Sequence, residues 1–321
     1  MKNQTAMVCA SHSPLLHCYD SEPRDFGKLQ EAFRSTRQFI EDFDPQLVIA
    51  FGSDHFNGFF LNLMPAFCIG TAATATADIG GYPGELDVPS DVAIAAVESA
   101  RQDGVDVSVS YQMTVDHAFS QTIHEMLGAL TNKPVIPVFI NCITPPYVPF
   151  HRTRMLGEVL GRFAVGLDRR VLFLGSGGMS HHPTRYYPEP GQGEPRVAAW
   201  QLTGGTSPES FTRAEWLERL DIMHHEGAKM ITRGERTAKH MRLNEASDRE
   251  FLDHLVTGDL EAFDSWDAPT LIERGGIGSM ELHAWIAAAS AHRACGGKDP
   301  QLDIYTHAPE LGIAAGIVHA A

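Results

Sequence analysis

No stretch of the 321 residues approaches the roughly 18 consecutive apolar residues of a membrane-crossing helix, so a membrane partner is not expected. Cysteine is sparse and scattered. Cys9, Cys18, Cys68, Cys142 and Cys295 include no C-x-x-C pair. Their odd number and wide spacing exclude a disulfide framework and a thiolate zinc site, and free thiols fit a reducing cytoplasm. The N-terminus, MKNQTAMVCASHS, has one lysine and too short an apolar run for a secretory signal, which also predicts a cytoplasmic location. Positive charge is in deficit: 25 Lys and Arg against 40 Asp and Glu leave a net charge of −15. Such a surface repels phosphate backbones and excludes nucleic acid as a partner. A small anionic substrate stays compatible, because a local basic pocket overrides the global field. A full dinucleotide fingerprint is also missing. Gly175 and Gly177 are followed by Gly178, Ser180, two histidines and Pro183, without the third glycine at its spacing.

What is present is the composition of a soluble globular protein, 43% hydrophobic and 20% charged, with sixteen histidines. Alternating strand and helix patterns predict one α/β domain over residues 1–321, its sheet covered by helices. TAMVCA (5–10), LVIAF (47–51), KPVIPVFINC (133–142) and RRVLFLGSGG (169–178) read as strands. Pro137 argues that its strand lies at an edge or carries a bulge. VDVSVSYQM (105–113) alternates like a strand, and residues 69–90 read as a long loop or edge feature. Helices are expected over 25–43, 91–104, 115–131, 152–167, much of 208–264, and 280–292, with a loop over 183–196.

Three apolar runs end alike. The first leads to His12, the second through Gly52 to Asp54 and His55, the third through glycines to His181. Ligands of open α/β sheets bind outside the carboxyl ends of strands, so these histidines are candidates to converge. His12, His55 and a carboxylate such as Glu281 would form a facial triad of the kind that holds iron(II) with positions open. Each also has a plain reading: His12 as a turn residue before Pro14, His55 as a loop residue, Glu281 as a complement to a helix dipole. His117 and His181 are candidate acid–base groups. Asp116 either orients a histidine or caps a helix. His182 and Pro183 adjoin the site candidates, as does His17. Arg152, Arg154 and Arg185 are candidate partners for a substrate carboxylate, or surface arginines. His124, His224, His225, His240 and His254 lie on polar helical stretches and are expected to be solvated.

Together SHSPL (11–15), DHFNGFF (54–60), MPAFC (64–68), VDHAFSQ (115–121), PVIPVFIN (134–141), RTRMLGE (152–158), VLFLGSGGMSH (171–181) and MELHAW (280–285) resemble the class III, LigB-type extradiol ring-cleaving dioxygenases. The likeness is densest over residues 5–183, and closest to the enzymes of 2,3-dihydroxyphenylpropionate. It implies a LigB-like α/β fold with a central mixed sheet and the active site at its strand ends. It implies Fe(II) held by His12, His55 and Glu281, with His117 and His181 as the acid–base pair supported by Asp116 and Pro183. It also implies a substituted catechol and O2 as reactants, and a homo-oligomer. After residue 184 the pattern is followed only loosely, which leaves the ring substituent open. Two rivals remain at this level: an iron-free binding or scaffold protein of this fold, and a zinc hydrolase with the same ligand types.

Overall fold

A computed structural model describes residues 4–183 and 192–321. The strands are β1 (Thr5–Ala10), β2 (Leu47–Gly52), β3 (Phe67–Gly70), β4 (Ala73–Ala75), β5 (Gly84–Glu85), β6 (Ser108–Ser110), β7 (Met113–Val115), β8 (Val135–Ile140), β9 (Val171–Ser176), β10 (Gln301–Ala308) and β11 (Ile313–Ala320). The α-helices are α1 (Phe26–Phe43), α2 (Ser90–Gln102), α3 (His117–Leu127), α4 (Phe150–Val165), α5 (Pro195–Thr203), α6 (Arg213–Thr232), α7 (Glu245–Val256), α8 (Ala268–Gly275) and α9 (Leu282–Ala294).

Eight strands form a mixed sheet in the order β10-β11-β1-β9-β2-β8-β3-β6. The centre, β1-β9-β2-β8, is parallel. Its strands are apolar runs because both faces are covered. Met7, Cys9, Ile49, Phe51 and Phe173 join the core on one face, and Val8, Ala10, Val48, Ala50 and Leu174 that on the other. Helix α9 is buried almost all round, as its alanine-rich sequence predicts. It packs closely on α4 because Gly157 and Gly161 carry no side chain: a Cβ at either would stand 2.3 Å from the carbonyl oxygen of Ala287 or Ala291.

Three expectations change. The strand bearing Pro137 lies inside the sheet. Its pairing with β3 stops at Ile69 and Val138, one residue short of Pro137, so the missing N–H falls where the β3 ladder has ended. The stretch 105–113 divides between two sheets, and β7 pairs in parallel with β4 in a separate three-stranded sheet. The region read as a long loop or edge feature, residues 69–90, carries two short strands of that small sheet, β4 and β5, and its Asp78 reaches the site. The expected loop over 183–196 falls mostly outside the described residues, and α5 begins at Pro195. The C-terminal hairpin β10–β11 had no clear signal in the sequence; β11 pairs antiparallel with β1 and extends the sheet past it.

Candidate active site

The parallel strands deliver the site at their carboxyl ends. His12 follows β1, His55 follows β2, and β9 ends in Ser176, Gly177 and Gly178 before His181. The loop after β2 is fixed by Asp54, whose carboxylate accepts the backbone N–H groups of Asn57, Gly58 and Phe59. The indole N–H groups of Trp200 on α5 and Trp216 on α6 hold the same loop from outside, through the Phe56 carbonyl and the Asn57 side chain. Glu281 closes a 3-10 turn, Ile277–Glu281, just ahead of α9.

These residues converge. Glu281 is 1% exposed, and its Oε1 lies 2.9 Å from His55 Nε2 while its Oε2 lies 3.6 Å from His12 Nε2. Ser53 Oγ and the Gly178 backbone N–H donate to the same carboxylate, at 3.0 and 2.7 Å. Each histidine is tied at its other nitrogen. His12 Nδ1 donates to Ser176 Oγ at 3.0 Å, since that hydroxyl donates to the Ala118 carbonyl. His55 Nδ1 lies 3.1 Å from Asp116 Oδ2. Both Nε2 atoms are thereby turned toward Glu281, as metal ligands are oriented by groups behind them.

Asp116 does both things the sequence left open, but for a different histidine than its neighbour. Oδ1 caps α3 by accepting Ala118 N–H at 2.9 Å. Oδ2 takes the His55 backbone N–H, the His55 ring and Asn57 Nδ2. His117 is instead held by Asp78, whose Oδ2 is 2.5 Å from His117 Nδ1. Sequence reading missed Asp78 because it sits in a Gly-, Ala- and Thr-rich stretch with no motif of its own.

His117 stacks on His55, ring centres 4.4 Å apart, and meets His12 edge-on at 5.3 Å. The ring nitrogens of His12, His55 and His117 lie within 4.8 Å of one another, so a three-histidine set also gathers here. Glu281 contacts the Nε2 atoms of both His12 and His55, and a buried carboxylate needs a cation.

His181 turns back so that Nδ1 donates to the Met179 carbonyl at 2.9 Å, leaving Nε2 as its acceptor. The glycines of the GSGG stretch make this turn possible. A Cβ at Gly177 would stand 2.6 Å from the Glu281 carbonyl oxygen, and one at Gly178 would stand 2.3 Å from the His181 ring. Gly278, from the turn before Glu281, also meets that ring.

Charge is distributed to match. Burial pushes the pKa of His181 and of His117 down, His117 well below the usual range, so both are neutral acceptors near neutral pH. Burial opposes charge on His55 as well, but Asp116 and then Glu281 outweigh it and hold the pKa well above normal. Burial likewise opposes the Glu281 carboxylate, and His12 and His55 outweigh it, holding the pKa well below normal.

His12, His55, His117 and His181 line one pocket with Pro183, against an apolar wall that includes Leu15, Leu311 and Ile313. His224 and Arg236 line it too. His224 is buried rather than solvated: α6 packs over the site, Nδ1 donates to the Leu220 carbonyl at 2.7 Å, and burial pushes its pKa to about 3. His182 lies beside the pocket lining, its Nδ1 accepting Ile277 N–H at 3.4 Å. Arg152 is not brought to the pocket. It lies half-buried on α4, with Nη1 3.8 Å from Met155 Sδ, and Arg154 pairs with Asp264 and Glu158. Arg185 lies outside the described residues.

Two imidazoles at strand ends facing a buried carboxylate, with two further neutral imidazoles opening on the same pocket, define a metal-assisted enzyme of the α/β class. Residues 6–312 match the family of the catalytic LigB subunit of aromatic ring-opening dioxygenases, a metal-dependent family. The chain belongs to that family and is an extradiol catechol dioxygenase. It is 41% identical over 302 residues to a 2,3-dihydroxyphenylpropionate/2,3-dihydroxicinnamic acid 1,2-dioxygenase of Rhodococcus rhodochrous, covering 94% of this chain and 92% of that one. A second enzyme of that name from Pseudomonas putida is 39% identical, covering 94% of each chain. An uncharacterised protein of Escherichia coli K12 shares the fold, with a TM-score of 0.52 at 12% identity over 98% of this chain and 99% of that one. Among the described residues no helix is long and apolar enough to cross a membrane.

Proposed function

We propose that the chain cleaves a catechol bearing a carboxylated side chain, such as 3-(2,3-dihydroxyphenyl)propionate, using Fe(II) and O2, and yields a muconic semialdehyde-type acid in aromatic catabolism. The whole chain acts as one catalytic domain, in the cytoplasm and as a homo-oligomer. The observation that carries this reading is the pair of Nε2 atoms meeting one buried carboxylate, beside two neutral imidazoles in the same pocket.

His12, His55 and Glu281 would hold the ion. Two neutral imidazoles and one carboxylate suit iron(II), and no thiolate among the five cysteines belongs to this set. Fe(II), once bound, supplies the electronic contact between catechol and dioxygen. Asp116 and Ser176 fix the ligand rings from behind. His181 has Nε2 as its acceptor and takes a proton from a catechol hydroxyl. His117, turned by Asp78, shares the proton traffic with it. Such a positioned acid–base group contributes about 10²–10⁴-fold. Pro183 ends the His181 turn at the pocket wall, and His182 stands behind it. Leu15, Leu311 and Ile313 pack on the ring and keep water from it.

The test is oxygen uptake by iron-loaded protein across a catechol panel, with the ring-opened product followed by its visible absorbance. Oxygen-dependent ring opening, fastest with the carboxylated side chain, is expected. Turnover without oxygen, or with zinc alone, would overturn the reading.

A further inference from the structure

A substrate that ends in a carboxylate needs a cation in a protein whose net charge is −15. The pocket holds one candidate class of group for this. Among the described residues, Arg236 is the single Lys or Arg lining it. Arg236 is 8% exposed, and its placement is fixed by backbone. After α6 the chain turns through Gly234, whose φ of +74° suits glycine, and the Met230 carbonyl accepts the N–H groups of both Glu235 and Arg236. The turn carries Arg236 inward, away from its neighbour Arg233, which pairs with Glu226 and Glu235 at the surface. Nη2 donates to the His182 carbonyl at 3.3 Å, so the guanidinium is anchored on the segment that carries His181 and Pro183.

We propose that Arg236 is the specificity-determining residue that binds the side-chain carboxylate of the catechol. This rests on the carboxylated-substrate reading above. A guanidinium offers five N–H donors in a flat fork that matches a carboxylate with two parallel bonds. The anchor on His182 couples that grip to the acid–base histidine one residue away. Burial strengthens the contact, because water does not screen it. The apolar wall of Leu311 and Ile313 then takes the ring, and the carboxylate at Arg236 sets which way round the ring lies.

The experiment compares kcat/KM for 3-(2,3-dihydroxyphenyl)propionate with that for 3-ethylcatechol, which lacks only the carboxylate-bearing end. In Arg236→Gln the ratio of the two is expected to fall about 10- to 100-fold, the loss of a charged, two-point hydrogen bond. Arg236→Lys, which keeps the charge and is the safer fold, should fall in the same direction by less. The competitive inhibition constant of 3-phenylpropionate, which keeps the carboxylate and lacks both hydroxyls, should rise alongside. An unchanged ratio in both variants overturns the proposal, as does a fall seen in Arg185→Gln but not in Arg236→Gln. If the wild-type protein itself prefers 3-ethylcatechol, the carboxylated-substrate reading fails, and the proposal falls with it. If it prefers the carboxylate but the Arg236 variants keep that preference, only the proposal fails.

Discussion

Gly178→Ala tests the site through a single methyl group. The added Cβ would stand 2.3 Å from His181 Cε1, 2.6 Å from its Nδ1 and 3.3 Å from Glu281 Oε2. Ordinary carbon contacts are at about 3.5–4.0 Å, so the His181 ring must move by about 1 Å or more. Glu281, at 3.3 Å, gives by a few tenths at most. The shift falls on the ring that donates to the Met179 carbonyl and faces the pocket. A misplacement of about 1 Å costs about 10²-fold in rate, which is about 3 kcal/mol of barrier. Overpacking a tight site also costs about 1–3 kcal/mol of stability. The assay is turnover of the catechol together with iron content and thermal unfolding. The expected variant is folded, binds iron and turns over about 10²-fold more slowly. Gly27→Ala is the control, since a Cβ there meets nothing within 4 Å, and helix α1 should gain about 1 kcal/mol. Wild-type turnover in Gly178→Ala would refute the reasoning, because His181 would then not need its place. Loss of iron with the fold intact would refute it too, since the strain would have fallen on Glu281.

Asp116→Asn can keep the cap on α3 but removes the charge behind His55 and turns an acceptor of three buried donors into a donor, so iron affinity, measured by competition with a chelator, should fall about 10- to 100-fold and the melting temperature should fall with it. An unchanged affinity would show that His55 needs no acceptor behind it. Asp78→Asn should leave iron content intact, lower kcat and alter its pH profile, because His117 loses the carboxylate that fixes its ring; equal losses of iron and activity would place His117 among the ligands instead. Gly161→Ala pushes a Cβ to 2.3 Å from the Ala291 carbonyl oxygen and should destabilise the α4–α9 contact by about 1–3 kcal/mol in denaturant unfolding. An unaffected midpoint would mean that the helices part at no cost.

The central strands could be read from sequence because burial on both faces requires continuous apolar runs, and TAMVCA, LVIAF and VLFLGS are such runs. Histidines just past their ends were visible for the same reason: parallel strands share one carboxyl edge. The C-terminal hairpin was not legible. Its first strand, Gln301–Ala308, is largely exposed or half-buried, so it shows no continuous apolar run to mark it. Arg152 is a candidate in one dimension and Arg236 is not, yet α4 faces α9 and the loop after α7, while the turn after α6 faces the pocket.

The sequence alone determined the chemistry available: which strands end in imidazoles, where the glycines free the chain, and that Glu281 opens a helix. Tertiary structure decided the partnerships. Asp116 sits next to His117 in the chain, but as the N-cap of α3 its side chain folds over the helix end and reaches His55, sixty-one residues away. His117 is held instead by Asp78, thirty-nine residues upstream in a stretch without a motif. Hydrogen bonds form between groups that the sheet brings within about 3 Å, and that proximity is set by strand order and side-chain direction, which adjacency in the sequence does not specify.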